Sequence, residues 1–142
     1  MSEPSWDAVR QQVYDRAKGC CEYCLTCEDN TGQVRQIDHI DPTGDDSPAN
    51  LALACWTCNN AKRRATHAPD PISGALVPLF NPRTQRWNEH FAWTEQFSLI
   101  AGLTPTGRAT IERLKMNRGV LIVARKRWIA GGYHPPDFAQ DE

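Results

Sequence analysis

Two cysteine pairs, Cys21-Glu-Tyr-Cys24 and Cys55-Trp-Thr-Cys58, share a C-x2-C spacing that can turn two thiolates toward one point. Four thiolates converging tetrahedrally make a structural metal site, for which Zn²⁺ is the expected ion. The chain has 142 residues and six cysteines, and a reducing compartment favours ligands over disulfides. Cys24-Leu-Thr-Cys27 has the same spacing, so the cluster is ambiguous. The reading adopted assigns the metal to Cys21, Cys24, Cys55 and Cys58 and leaves Cys20 and Cys27 as small apolar or knuckle residues. Thirty residues separate Cys24 from Cys55, more than the roughly 15 to 20 of a simple ribbon. Something folded must fill that gap.

It holds an acid and a histidine side by side, Asp38 and His39. Directly after the last cysteine comes Asn59, opening the run CNNAKRR. On a helix Asn59, Lys62 and Arg63 stand at i, i+3 and i+4 and share a face. If the clamp carries this helix across a hairpin, Asp38 and Asn59 supply two hard oxygens. Such an incomplete set suits Mg²⁺ or Mn²⁺, ions that keep waters and accept phosphate oxygens. His39, ionising near neutrality, is then a candidate general base. Neighbouring strand residues point to opposite faces, so the strand should end, twist or bulge at this pair. Asp41, Asp45 and Asp46 are read as turn formers in D-P-T-G-D-D-S-P rather than as ligands.

The elements that position these groups can be read from periodicity. Trp6, Val9, Val13 and Ala17 fall three to four apart, which predicts an amphipathic helix over residues 4–17, ended by Gly19. Short strands are expected over 33–40 and 51–54, and a helix over 58–66 that Pro69 stops. Residues 69–86 form a Pro-, Gly- and Asn-rich arm. A hairpin over 90–104 follows, then two helices, the first started at Thr104 and Pro105 and the second closed by Gly131 and Gly132. The fold class is therefore α+β. One domain over 1–142 is expected, with a metal-clamped core at 20–68 and a C-terminal extension at 69–133 packed on it.

Charge is unevenly spread. Residues 1–58 hold four Lys/Arg against ten Asp/Glu, whereas residues 59–130 hold twelve against four. A basic half of this kind is suited to phosphate. No segment approaches the roughly 18 apolar residues of a membrane span. The start, MSEPSWDAVRQQ, lacks a signal-peptide pattern, so a cytoplasmic location is the expectation.

Taken together, Asp38-His39-Ile-x-Pro, Asn50-Leu, Cys55-x2-Cys58-Asn59-x2-Lys62 and the upstream Cys21-x2-Cys24 resemble the HNH endonuclease family and its ββα-metal fold. The resemblance implies a metal-dependent hydrolase of DNA phosphodiester bonds. Asp38 and Asn59 would bind the catalytic divalent ion and His39 would activate water. Asn50 would brace the loop and orient His39, while Lys62, Arg63 and Arg64 would meet the DNA backbone. Later runs, PLFNPRTQRWNEHF and GLTPTGRATIERL, resemble one bacterial branch of that family. The alternative is a non-catalytic four-cysteine zinc module that binds nucleic acid.

Overall fold

The computed structural model describes residues 4–137. Helix α1 (Trp6–Ala17) begins at Ser5, whose hydroxyl accepts the Ala8 amide at 3.2 Å. It ends where Lys18 and Gly19 turn left-handed. A short helix α2 (Glu28–Thr31) precedes the hairpin of β1 (Gln36–His39) and β2 (Leu51–Ala54), which is antiparallel with Asp38 opposite Ala52 and His39 opposite Leu51. Helix α3 (Trp56–Lys62) is shorter than expected. It starts at Cys55, whose sulfur caps the Cys58 amide, and ends at Arg63, where φ is 52°.

The hairpin is sandwiched, which explains why all four residues of β2 are buried. On one face Ile37, Leu51 and Leu53 pack on Val9, Val13 and Ala17 of α1. The opposite face brings Ala52 and Ala54 into a second cluster with Cys21, Cys24, Cys55 and Cys58. That cluster continues through Phe80, Trp87, Phe91, Ile100, Ala109, Leu114 and Met116, so the cysteines and the aromatic residues of the extension share one apolar interior.

The extension is more ordered than an arm. Strands β3 (His67–Pro69) and β4 (Leu76–Pro78) pair as a hairpin that composition alone did not reveal, followed by a turn of helix α4 (Trp87–His90). The expected second hairpin is β5 (Phe91–Thr94) with β6 (Leu99–Gly102). Helices α5 (Pro105–Leu114) and α6 (Gly119–Gly131) stand where expected, with Thr104 capping the Gly107 amide at 3.0 Å and Gly132 closing α6 at φ 82°. A Cβ at Gly107 would lie 2.1 Å from the His90 carbonyl oxygen, so only glycine lets α5 approach this closely. Trp87 Nε1 donates to the Tyr23 carbonyl at 2.8 Å and Arg113 Nε to the Ala61 carbonyl at 3.0 Å, tying extension to core. Buried Arg125 donates to the carbonyls of Ser98 and Met116 and stacks 5.3 Å from the Trp93 ring.

One charged pair anchors the β3–β4 turn. Asp70 is fully buried, accepts from Arg108 Nε and Nη2 at 2.9 Å each, and also accepts from Ser73 Oγ at 2.8 Å. The Arg108 guanidinium, followed by the Ser73 and Ile72 donors, holds the Asp70 carboxyl well below the usual carboxylate range. A depressed acid stabilises the fold above its unfolded pKa of about 3.9 and loses that contribution as pH falls below it. Asp70→Asn is therefore expected to lower Tm by several degrees at pH 7. The gap should narrow progressively in melts below about pH 4, and an equal gap at pH 7 and pH 3 would contradict the assignment.

Candidate active site and metal centre

Each cysteine pair forms the same knuckle. The Cys24 amide donates to Cys21 Sγ at 3.5 Å and the Cys58 amide to Cys55 Sγ at 3.4 Å. All four sulfurs are buried and lie within 4.8 Å of one another, with Cys24 and Cys55 at 3.7 Å. A tetrahedral ion with metal–sulfur bonds near 2.3 Å needs sulfur separations of about 3.8 Å, so the quartet fits a metal. The thiols also perturb one another. Cys21 and its neighbours hold Cys24 and Cys55 low, while burial raises Cys21 and the adjoining thiols raise Cys58. The knuckle is fastened to β2 by reciprocal bonds: Glu22 N donates to the Leu53 carbonyl and Leu53 N to Glu22 Oε2, both at 2.8 Å.

Cys20 and Cys27 take another course from the one expected. They are joined to each other as a disulfide flanking the first knuckle, so the six cysteines divide into four clustered thiols and one bonded pair. Adjacency in sequence made them look like alternative ligands. Their sulfurs join across the antiparallel Cys20–Cys27 bridge and are not among the four that cluster.

Strand β1 ends at His39 without a bulge, so Asp38 and His39 leave it on opposite faces. Asp38 points inward and is 3% exposed. Its Oδ2 accepts from Tyr23 Oη at 2.7 Å, and Lys62 Nζ stands 3.3 Å from Oδ1 and 3.2 Å from Oδ2. Burial raises the Asp38 carboxyl above its ordinary value, and Lys62 and Tyr23 partly offset that. His39 points outward with its ring parallel to Trp6 at 6.4 Å, and its Nε2 lies 2.7 Å from Asp46 Oδ1. A carboxylate at Nε2 favours the tautomer protonated there and leaves the Nδ1 lone pair to accept a proton.

The loop that delivers Asp46 is built on Asn50. Its amide nitrogen donates to the carbonyls of Asp41 and Asp45 at 3.0 and 2.9 Å, its Oδ1 accepts the Asp41 amide at 2.9 Å, and its carbonyl accepts the Ile40 amide at 2.9 Å. Gly44 passes so near that a Cβ there would meet Asn50 Nδ2 at 2.6 Å. Asp41 and Asp45 close turns with Thr43 and Ser47, each through a hydroxyl at 2.7 Å, and so act as turn formers. Asp46 departs from that reading, because it alone of the three reaches His39.

On α3, Asn59 Nδ2 donates to Gln36 Oε1 at 2.7 Å, two residues along the same strand face from Asp38. Asn59 and Asp38 thus face one side of the hairpin, each with a different partner. Lys62, expected at the DNA backbone, is turned inward and is 2% exposed; Arg63 and Arg64 are exposed. Tyr23 and Gln36 are the contributors that sequence reasoning passed over, and Asp46 is the one it read as a turn former. Only Tyr23 carried a hint, because it sits inside a metal knuckle.

A two-stranded hairpin crossed by a helix, with four cysteines gathered at its base, defines a ββα-metal fold within an α+β protein. Residues 21–65, about a third of the chain, match the model of the HNH endonuclease family. No curated protein and no solved structure gives a significant match to the chain.

Proposed function

We propose that the protein is a DNA endonuclease that hydrolyses phosphodiester bonds, with His39 as general base and a structural zinc ion on Cys21, Cys24, Cys55 and Cys58. The observation that carries this reading is a solvent-reachable histidine, oriented by a carboxylate and held at a strand end inside the HNH segment. Nδ1 of His39 takes a proton from water as its oxygen bonds to phosphorus in line with the departing 3′ oxygen. The P–O3′ bond breaks, leaving a 5′-phosphate and a 3′ oxygen that takes a proton from solvent water, and His39 then returns its proton to solvent. Asn50 sets the loop, and Arg63 and Arg64 face the phosphate backbone.

Asp38 and Asn59 are the residues that would hold a catalytic Mg²⁺ or Mn²⁺. Their oxygens suit a hard cation, and the Lys62 ammonium among oxygens at Asp38 marks a position where positive charge is favoured. When bound there, such an ion supplies Lewis acidity toward phosphoryl oxygens. The rival reading, a non-catalytic zinc module that binds nucleic acid, draws on the same contacts, since Asp38 and Asn59 are already engaged.

Incubation of supercoiled plasmid with the zinc-loaded protein, with and without Mg²⁺ or Mn²⁺, separates the two. Nicked product that requires the divalent ion is expected; binding without cleavage under any ion overturns the nuclease reading. In the same assay Asp46→Asn is expected to slow nicking only about two- to fivefold, because an exposed charge pair contributes about 0.2–1 kcal/mol. No change would remove Asp46 from the orientation of His39.

A further inference from the structure

Lys62 ends α3 with its ammonium in the interior, against an all-oxygen surround: Asp38 at 3.2 and 3.3 Å, the His39 carbonyl at 3.3 Å and the Ile40 carbonyl at 3.4 Å. An ammonium has three donors, and these contacts take them up. Asp38, 3% exposed, receives one other donor among the described residues, the Tyr23 hydroxyl. The carboxylate that would serve a divalent ion is therefore already neutralised by a cation belonging to the chain.

We propose that Lys62 is an internal counter-cation, holding the Asp38 carboxylate until a divalent ion displaces it. The proposal rests on the reading of Asp38 as an ion ligand. Its driving force is charge balance in a buried place. Asp38 with Lys62 is neutral, whereas a divalent ion arriving with Lys62 still in position would leave two like charges close together with little water between them. The ion thus enters only as the ammonium leaves. A four-carbon stem from the last turn of α3 lets the ammonium swing toward the surface that carries Arg63 and Arg64, where a phosphate of DNA would receive it. Ion binding and DNA binding are then coupled, each favouring the other by the same factor.

The test is Mn²⁺ titration of the zinc-loaded protein without DNA, free Mn²⁺ being read by electron paramagnetic resonance. Lys62→Met and Lys62→Gln are expected to bind Mn²⁺ at least about tenfold more tightly than the unaltered protein, because removing the competitor exposes a buried anion to the ion. Asp38→Asn should lose this binding. A lysine acting only as a structural tether predicts the opposite sign. Equal or weaker binding in both Lys62 variants, with zinc content and hairpin amide resonances unchanged, overturns the proposal while Asp38-dependent binding in the unaltered protein keeps the ligand reading. Binding unaffected by Asp38→Asn overturns both. A second measurement needs no variant: the slowly exchanging ¹⁵N ammonium signal of Lys62 should disappear as Mg²⁺ saturates the protein. Its persistence at saturation overturns the displacement, whatever the folding of the variants.

Discussion

Replacement of His39 by alanine is expected to lower plasmid nicking by about 10²- to 10⁴-fold, the range for loss of a positioned general base. The neighbouring groups offer little compensation. Asp41 and Asp45 are committed to their own turns, Asp38 is buried against Tyr23 and Lys62, and His67 is bonded through Nδ1 to the Thr66 hydroxyl. The fold should tolerate the change, because the His39 side chain is 36% exposed and points away from the metal cluster. Surface substitutions of this kind usually change stability by no more than about 0.5 kcal/mol. Metal content near one ion per chain and an unchanged melting curve are therefore expected alongside the lost activity. Partial rescue by added imidazole would tie the loss to the missing base. Nicking within a few-fold of the unaltered protein would remove His39 from the chemistry.

The elements around this residue were largely legible in the sequence. Period-3.6 spacing from Trp6 to Ala17, the Thr104-Pro105 start and the Gly131-Gly132 stop each reflect local backbone chemistry, and each element stands where that chemistry puts it. The cysteine quartet was legible too, because ligand spacing is a local constraint. Side-chain direction was less so. Whether Lys62 faces solvent or Asp38 depends on the rotation of α3 over the hairpin, and that follows from long-range packing on α5 and the cysteine cluster. Likewise Asp46 could not be told from Asp41 and Asp45 by type. Only the Asn50 bonds, closed nine and five residues away, decide which acid meets His39. The β3–β4 hairpin was missed because three-residue strands interrupted by prolines leave almost no periodic signal.

Removal of the metal is expected to cost more than any single substitution. Binding of Zn²⁺ at a structural four-thiolate site contributes about 10–16 kcal/mol at neutral pH, comparable with the whole stability of a domain at about 5–15 kcal/mol. Without an ion, four buried sulfurs within 4.8 Å of one another lose the charge that holds them together. The damage should spread beyond residues 21–58, because Phe80, Trp87 and Leu114 pack in the same cluster as the cysteines. Chelation of the reduced protein, or Cys58→Ser, is therefore expected to abolish the near-ultraviolet circular dichroism of the packed tryptophans and to broaden the amide spectrum of the hairpin. The paired change Cys20→Ser with Cys27→Ser is expected to leave metal content at one ion per chain, because those sulfurs are bonded to each other and are not part of the clustered quartet. Elemental analysis with thermal melts checks both. A metal-free protein that melts like the loaded one would show that the apolar interior alone holds the cysteines together, and the clamp would then have no part in presenting His39.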